Sequence, residues 1–225
     1  MKVAVVVFPG SNADFDALHV TRDVMGWDAH FVFHKETSLG DADLVVIPGG
    51  FAHGDYLRCG AIARFSPIAD EIIRFADRGG PVLGICNGFQ ILTEMGLLPG
   101  VLTRNAHLRF ECRDVWVKVE NEGRFTKTIP ANTTLRLPIA HAEGRFQCDE
   151  ETLLRIEGEG QVAVRYVAPD GQALKANTVN GSRNEIAGVY NKKRNVMGLM
   201  PHPERASELI LGNADGKRFF ESIFA

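Results

Sequence analysis

Residues 81–95 read PVLGICNGFQILTEM, and this stretch decides how the chain is expected to fold. Its first part is a short apolar run, which predicts a buried strand over residues 81–85. Its second part predicts a helix over residues 87–95, which Gly96 ends. Between them lies Gly84-Ile85-Cys86-Asn87-Gly88, a G-x-C-x-G pattern at a strand-to-helix junction. This is the thiol counterpart of the nucleophile elbow of α/β hydrolases.

The same alternation of strand and helix extends towards the N-terminus. Short apolar runs predict strands over residues 2–8, 28–34 and Leu44–Ile47. Apolar stripes at helical spacing predict helices after Gly10, where Ser11 or Asn12 is a candidate cap, and over residues 68–76. The predicted fold class is therefore α/β, a flavodoxin-like, doubly wound and mostly parallel sheet with helices on both faces.

The middle of the chain has a different pattern. Residues 113–120 alternate between apolar and polar side chains, which is typical of a half-buried antiparallel strand. The segment from about 105 to 190 is predicted as an antiparallel, β-rich addition to the core sheet, within a single domain spanning residues 1–225. Further predicted elements are strands over 135–140, 161–167, Ile186–Tyr190 and 196–200, and helices over 207–211 and 217–224.

Composition excludes several classes of protein. The chain has 225 residues, of which 45% are hydrophobic, so disorder is not expected. Its apolar runs are far shorter than the ~18 residues of a membrane span, and no secretion signal is recognised. A net charge of −3 argues against nucleic-acid binding. The four cysteines form no C-x-x-C pair, which predicts free thiols in a cytoplasmic protein and no metal site.

Cys86 is the candidate nucleophile. The sharp turn predicted for the elbow would expose its thiol at the carboxyl edge of the sheet, where open α/β folds bind ligands. The N-terminus of the following helix favours thiolate over thiol. The backbone N–H of Asn87 would be free to donate to an oxyanion. The alternative is a buried structural cysteine in a tight turn, which is how Cys59, Cys112 and Cys148 are interpreted, since none lies in an elbow.

Two further loops follow predicted strands and complete a candidate site. His202 and Glu204 lie in the segment MPHPE, where a proton shuttle and its orienting carboxylate are close in sequence. The alternative is a turn with an exposed histidine. Gly49 and Gly50 follow the strand Leu44–Ile47, and their N–H groups could complete an oxyanion hole, unless this is an ordinary strand-to-helix turn.

Together, GICNGFQ, the earlier PGG loop and the late PHPE segment resemble the class I, or triad, glutamine amidotransferases. Within that class, the sequence resembles the small, separate-chain glutaminase subunits of phosphoribosylformylglycinamidine synthase. The block GGFAHGDYLRCGAIAR at 49–64 is more diagnostic than the triad, which other amidotransferases share. The chain departs from many relatives at Ala13, where cysteine is expected, but that thiol is not catalytic in the family. The other blocks that carry the resemblance are 9–12, 84–90, 141–144 and 200–205.

The resemblance implies that Cys86 attacks the side-chain amide of glutamine, with His202 as proton shuttle and Glu204 orienting it. It also implies that Gln90 contacts glutamine and that the loop from His141 to Gly144 lines the same pocket. The products would be glutamate and ammonia, through a glutamyl thioester.

The resemblance also implies partners and a pathway. Ammonia would pass to a large synthase subunit, which converts formylglycinamide ribonucleotide to formylglycinamidine ribonucleotide in de novo purine (IMP) biosynthesis. A small third subunit would bridge the two. This chain has no recognisable nucleotide-binding motif, so no cofactor is expected on it, and ATP and magnesium are expected on the synthase. The segment Asp55-Tyr56-Leu57-Arg58 is interpreted as contributing to synthase docking or to gating of the site, with loop packing as the alternative.

Three other functions compete with this interpretation. A different class I amidotransferase would share the triad, although the block at 49–64 argues against it. A DJ-1-like stress-response or repair factor would share an elbow cysteine on a similar sheet, but the His202 and Glu204 pair argues against that. A non-enzymatic flavodoxin-like binding module would make the spacing of the triad a coincidence.

Overall fold

The computed structural model describes residues 1–130, 133–175 and 179–225. Within these ranges the chain forms eleven strands and five α-helices, joined by loops, a π-helix over Val20–Val24 and short 3-10 turns. In chain order, the elements are β1 (Lys2–Val7), α1 (Asp14–His19), β2 (Asp28–Phe33), β3 (Leu44–Ile47), α2 (Pro67–Asp77), β4 (Val82–Ile85), α3 (Asn87–Glu94), β5 (Val101–Thr103), β6 (Glu111–Val119), β7 (Thr134–His141), β8 (Arg145–Gln147), α4 (Glu150–Gly158), β9 (Val162–Val167), β10 (Ile186–Tyr190), β11 (Val196–Leu199) and α5 (Lys217–Ser222).

Nine of these strands form one mixed sheet, in the order β2-β1-β3-β4-β11-β10-β9-β6-β7. The first five strands in this order, from β2 to β11, are parallel to one another. From β11 onwards, each strand is antiparallel to its neighbour, as far as β7 at the other edge. The predicted α/β fold class is confirmed, including the antiparallel segment, which continues the same sheet. Strands β5 and β8 form a separate two-stranded ribbon.

The centre of the sheet is covered on both faces. This agrees with the continuous hydrophobic runs of β3, β4 and β11, which are typical of strands in a buried parallel sheet. Every residue of these three strands is buried. One cluster of buried side chains runs from the parallel strands into the antiparallel strands. Within the described ranges, no helix is both long enough and apolar enough to cross a membrane.

The register of the three central strands places their carboxyl ends at one edge. Gly84 of β4 is paired with Ile47 of β3 on one side and with Gly198 of β11 on the other. The residues that follow these strands, at 48–50, 86 and 202, therefore emerge close together. The site is built at this edge.

Two predictions about helices are wrong. Neither Ser11 nor Asn12 caps α1, whose N-cap is Ala13, because the hydroxyl of Ser11 instead accepts the N–H of Phe8 in a tight turn (3.1 Å). The segment 207–211 is not an α-helix. Glu208 has an extended backbone and forms a bridge with Asn213, so only a 3-10 turn over Leu209–Leu211 remains.

Three elements were not predicted: β5, β8 and α4. Helix α4 carried a local signal, since the carboxylate of Asp149 accepts the N–H of Thr152 (2.8 Å) in a standard N-cap. Strands β5 and β8 have only three residues each, and their pairing depends on residues more than 40 positions apart, which periodicity does not reveal.

Candidate active site

Cys86 occupies the turn between β4 and α3. Its backbone has φ +51° and ψ −105°, a conformation that costs a non-glycine residue about 1–3 kcal/mol. The strand pairing holds it there, because the N–H of Cys86 donates to the carbonyl oxygen of Leu199 in β11 (2.7 Å). Nearly all of the side chain is buried. The strained backbone agrees with the elbow that the sequence predicts, but the exposed thiol that was expected is wrong, because the side chain is covered on nearly all sides.

The glycines on either side of Cys86 are required by close packing. A Cβ on Gly88 would lie 2.0 Å from the carbonyl oxygen of Ile47 in β3, and a Cβ on Gly84 would lie 2.6 Å from the carbonyl oxygen of Gly88. Any side chain at Gly88 would push α3 away from the sheet. The two glycines of the G-x-C-x-G pattern thus allow the tight turn.

His202 and Glu204 follow β11 and form a buried pair. Nδ1 of His202 lies 2.6 Å from Oε1 of Glu204, and both side chains are almost fully buried. The N–H of His202 donates to the carbonyl oxygen of Pro138 in β7 (2.8 Å), which fixes the backbone of the loop. Because Nδ1 faces the carboxylate, Nε2 is the nitrogen left for proton transfer.

The protonation of His202 is set by opposing effects. Burial alone lowers the pKa of the imidazole, but the negative charges of Glu204 and of the Cys86 thiolate outweigh it and raise the pKa of His202 above its ordinary value. The arrangement therefore favours an imidazolium held between the carboxylate of Glu204 and the sulfur of Cys86. A positively charged histidine beside a cysteine is a common way to activate a thiol nucleophile.

Gly49 lies between the nucleophile and the histidine. A Cβ on Gly49 would lie 2.7 Å from Cε1 of His202 and 3.5 Å from Cβ of Cys86. Cys86 and His202 also line one small cavity together with Gly50. The structure thus brings together Cys86, His202 and Glu204 from two adjacent parallel strands, in the arrangement of a Cys–His–Glu triad.

The loop that contains Gly49 and Gly50 is fastened to the segment after β1. The carbonyl oxygen of Gly49 accepts the N–H of Asn12 (3.3 Å), and the N–H of Phe51 donates to the carbonyl oxygen of Gly10 (2.9 Å). These bonds do not use the N–H of Gly50, and the residue Gly50 lines both cavities beside Cys86. Asn87 is the first residue of α3, where a backbone N–H has no partner within the helix. Gly50 and Asn87, two of the three residues predicted to donate to the oxyanion, therefore lie beside the nucleophile, and their donor role stays a prediction.

A second small cavity adjoins Cys86, and three predicted site residues were expected in it. Gln90 and His141 line it, but Gly144 does not. Gly144 instead packs against the ring of His141, where a Cβ would lie 2.3 Å from Cε1. Its role in the structure is to leave room for the histidine. The wall is formed by the preceding residues, 140–143.

Some residues of this cavity were not predicted. Asp55, Cys59 and Glu143 also line it. Burial and the neighbouring carboxylates raise the pKa of Cys59, which is compatible with its interpretation as a structural thiol, although it lies in the wall of this cavity. The sequence carries no local signal for this grouping, because Cys59 and Glu143 are 84 positions apart. All four cysteines are free.

A mostly parallel sheet with a thiol elbow, and with a buried His–Glu pair at the end of the neighbouring strand, is the architecture of a triad glutamine amidotransferase. The sequence comparison agrees: residues 1–218 match the family of CobB/CobQ-like glutamine amidotransferase domains. The chain belongs to this family and, within it, groups with the PurQ subunits of phosphoribosylformylglycinamidine synthase.

Several relatives support the finer placement. The PurQ subunit of Salinibacter ruber is 52% identical over 223 residues, covering 99% of this chain and 95% of the relative. The PurQ subunit of Rhodopseudomonas palustris is 50% identical, covering 99% and 97%. A solved structure of PurLQS from Thermotoga maritima matches with a TM-score of 0.87 and 44% identity, covering 99% of this chain and 97% of that one.

The family membership confirms the resemblance found in the sequence. It sets aside the stress-response factor and the non-enzymatic binding module as interpretations of this chain.

Proposed function

We propose that this chain hydrolyses L-glutamine to glutamate and ammonia and supplies the ammonia to the synthase subunit of phosphoribosylformylglycinamidine synthase. The observation that carries the proposal is the placement of Cys86 on a strained elbow beside the buried pair of His202 and Glu204. The relatives named PurQ support the choice of acceptor reaction, the ATP-dependent conversion of formylglycinamide ribonucleotide to formylglycinamidine ribonucleotide in purine biosynthesis.

In the first half of the reaction, the thiolate of Cys86 attacks the side-chain carbonyl carbon of glutamine. The oxyanion that forms accepts hydrogen bonds from backbone N–H groups of Asn87 and of the loop at Gly49 and Gly50. Nε2 of His202 gives its proton to the amide nitrogen. The carbon–nitrogen bond then breaks, which leaves ammonia and a glutamyl thioester on Cys86.

In the second half, water attacks the thioester and His202 takes a proton from it. The carbon–sulfur bond breaks, glutamate leaves, and the thiolate and imidazolium are restored. Throughout, the carboxylate of Glu204 holds the ring by its hydrogen bond to Nδ1 and stabilises the positive charge. A contact between Gln90 and the substrate is part of the proposal, and the position of Gln90 in the wall of the adjoining cavity supports it.

The proposed partners are two: a large synthase subunit, and a small bridging subunit that joins it to this chain. The match to the PurLQS structure supports an assembly with a synthase. ATP and magnesium are assigned to the synthase, and no cofactor is assigned to this chain. We place the protein in the cytoplasm, which is compatible with its four free cysteines.

The proposal can be tested by covalent labelling with diazo-oxo-norleucine, a glutamine analogue that alkylates amidotransferase nucleophiles. The chain is assembled with its synthase, because partner binding can organise the oxyanion hole, and the adduct is mapped by mass spectrometry. We expect one adduct, on Cys86. The thiols of Cys59, Cys112 and Cys148 are internal controls in the same chain. Labelling on another residue, or no labelling with the synthase present, would overturn the mechanism.

A further inference from the structure

A third cavity lies between the loops that follow β2 and β3. Its volume is about 540 Å³, and it shares no lining residue with the two cavities beside Cys86. We propose that this third cavity binds a phosphate ester with a planar or apolar body, through His34, His53 and Lys35. The inference goes beyond the proposed function and does not depend on it.

The third cavity lies where the strand order of the sheet changes direction. Strand β1 pairs with β2 on one side and with β3 on the other. Open α/β sheets bind ligands at such a point, outside the carboxyl ends of the strands. The N–H of His34 donates to the carbonyl oxygen of Val7 in β1 (2.9 Å), and the N–H of His53 donates to that of Pro9 (2.6 Å). Two histidines from different loops are thus fixed at the end of the same strand.

The two imidazole rings are close to each other and to a buried phenyl ring. The ring centroids of His34 and His53 lie 5.2 Å apart, and the ring of Phe8 lies 6.1 Å from the first and 6.4 Å from the second. Burial, and then the charges of His53 and Lys35, lower the pKa of His34. A positive charge on this pair is therefore costly in the free protein, and a bound anion would offset that cost.

Both histidines keep ring nitrogens that can bind a ligand. His34 is 8% exposed, and its Nδ1 lies 3.1 Å from the hydroxyl oxygen of Ser66, while its Nε2 is bonded to no described residue. Nε2 of His53 is buried and likewise has no partner among the residues that the structure describes. Because the hydroxyl of Ser66 can donate to Nδ1, Nε2 of His34 can carry the ring hydrogen and donate to an anion. Unpartnered nitrogens of this kind need a hydrogen-bond partner from outside the protein.

The side chains around the third cavity bring positive charge without negative charge. Among the described residues that line it, Lys35 and the two histidines are basic and none is acidic. The acids that follow closely in sequence are used elsewhere. Glu36 accepts the N–H of Phe33 (2.9 Å), and Asp55 lines a cavity beside the nucleophile. A doubly charged phosphate group, which accepts several hydrogen bonds from charged donors, complements this set.

The other side chains of the third cavity are largely apolar. Ile62, Phe65 and Pro67 line it, and the side chain of Phe65 is 80% exposed. An exposed aromatic ring can stack against a planar group. The volume lies within the range of small-molecule sites in proteins. These features favour an ester, in which a phosphate is joined to a planar body, over inorganic phosphate alone.

Calorimetric titration of the full-length chain tests the site with three probes: phenyl phosphate, inorganic phosphate and benzoate. We expect phenyl phosphate to bind about tenfold more tightly than either of the others, because only phenyl phosphate has both a dianion and a ring. His53→Gln should weaken its binding about tenfold, since a donor to a charged group is lost. Lys35→Gln, at an exposed position, should weaken it about threefold.

Phe65→Ala separates the two parts of the ligand. It should weaken the binding of phenyl phosphate and leave that of inorganic phosphate unchanged, because only the ester has a ring to stack. Lys35→Gln and Phe65→Ala alter exposed side chains, so they test the site even if His53→Gln fails to fold. The matched control is His30→Gln. His30 is exposed on β2 and does not line the cavity, so this variant should bind phenyl phosphate as the wild type does.

No binding of phenyl phosphate to the wild-type chain, or undiminished binding in all three cavity variants, would overturn the site. Benzoate that binds as tightly as phenyl phosphate would overturn the assignment to a phosphate. Inorganic phosphate that binds as tightly would overturn the assignment to an ester. Each of these results leaves the proposed glutamine hydrolysis untouched, since the third cavity shares no residue with the triad.

Discussion

The parallel and antiparallel halves of the sheet face the same cavity but contribute different groups to it. In the parallel half, β3, β4 and β11 end at one edge and present Gly49, Cys86 and His202, the groups assigned to the chemistry. In the antiparallel half, β7 ends at His141 and leads into the wall at 140–143. The difference indicates a division of labour: the strand ends of the parallel half carry the reacting groups, whereas the antiparallel half contributes only wall residues, at 140–143, to a cavity that Asp55, Cys59 and Gln90 also line.

Two of the contacts between the halves lie at the site. The carbonyl oxygen of Pro138 in β7 accepts the N–H of His202, and the carbonyl oxygen of Ala140 lies 3.8 Å from Sγ of Cys86. A substitution at the reacting strand ends should therefore affect turnover, and a substitution in the antiparallel half should affect substrate binding first.

The largest effect is expected from Glu204→Gln. The variant keeps the shape of the pair but removes the charge that holds His202 protonated, so glutamine hydrolysis should fall by about 10³- to 10⁴-fold, as for comparable triads. Burial would then dominate and lower the pKa of His202. Since the active form carries imidazolium, the alkaline limb of kcat/KM should move to lower pH. The measurement is a pH profile of glutamine hydrolysis, and an unmoved limb would contradict this role for Glu204.

A second prediction compares two helical glycines. Gly88→Ala in α3 should destabilise the protein by about 3 kcal/mol and disrupt the elbow, because the new Cβ meets the backbone of β3 at 2.0 Å. Gly158→Ala in α4, beside open space, should stabilise it by about 0.5–1 kcal/mol. Urea unfolding of both variants gives the two values. Equal effects at the two positions would show that the elbow is not tightly packed.

A third prediction concerns Asn105, which supports the wall from the antiparallel side. Asn105→Ala leaves two carbonyls and the Nδ1 of His141 without their partner, which should cost about 1–3 kcal/mol of stability. KM for glutamine should rise because His141 and the loop lose their support, while labelling of Cys86 should persist. Loss of labelling at unchanged KM would reverse the assignment of the two halves.

The smallest effect is expected from Arg58→Ala. Arg58 forms a two-pronged ion pair with Glu94 (2.6 and 2.7 Å), but 56% of its side chain is exposed, so the stability should change by less than about 1 kcal/mol. If the segment 55–58 docks the synthase, the variant should weaken the assembly, measured by co-sedimentation. Unchanged assembly together with unchanged glutamine-dependent synthesis would favour loop packing alone.

The parallel half could be predicted from the sequence for a physical reason. Buried parallel strands are short apolar runs, and whatever follows their carboxyl ends meets at one edge, so Cys86, His202 and Gly49 could be grouped without coordinates. The local requirement for small residues around the elbow was also visible, and the packing of Gly84 and Gly88 agrees with it.

The antiparallel wall could not be predicted in the same way. It is held by hydrogen bonds to distant parts of the chain, such as the one that Cys59, in the loop after β3, donates to Glu143. Asn105, which is fully buried, has no periodic or motif signal at all. Gly144 was assigned to the pocket through the resemblance, and its position behind His141 emerged only from the packing.

Cys86→Ala in the assembled synthase shows most directly whether the elbow thiol carries the amide chemistry. Formation of the amidine product is measured with glutamine and, separately, with added ammonia. We expect this variant to lose glutamine-dependent synthesis and to retain ammonia-dependent synthesis. Persistence of glutamine-dependent synthesis, or loss of both activities in a correctly assembled complex, would contradict this expectation.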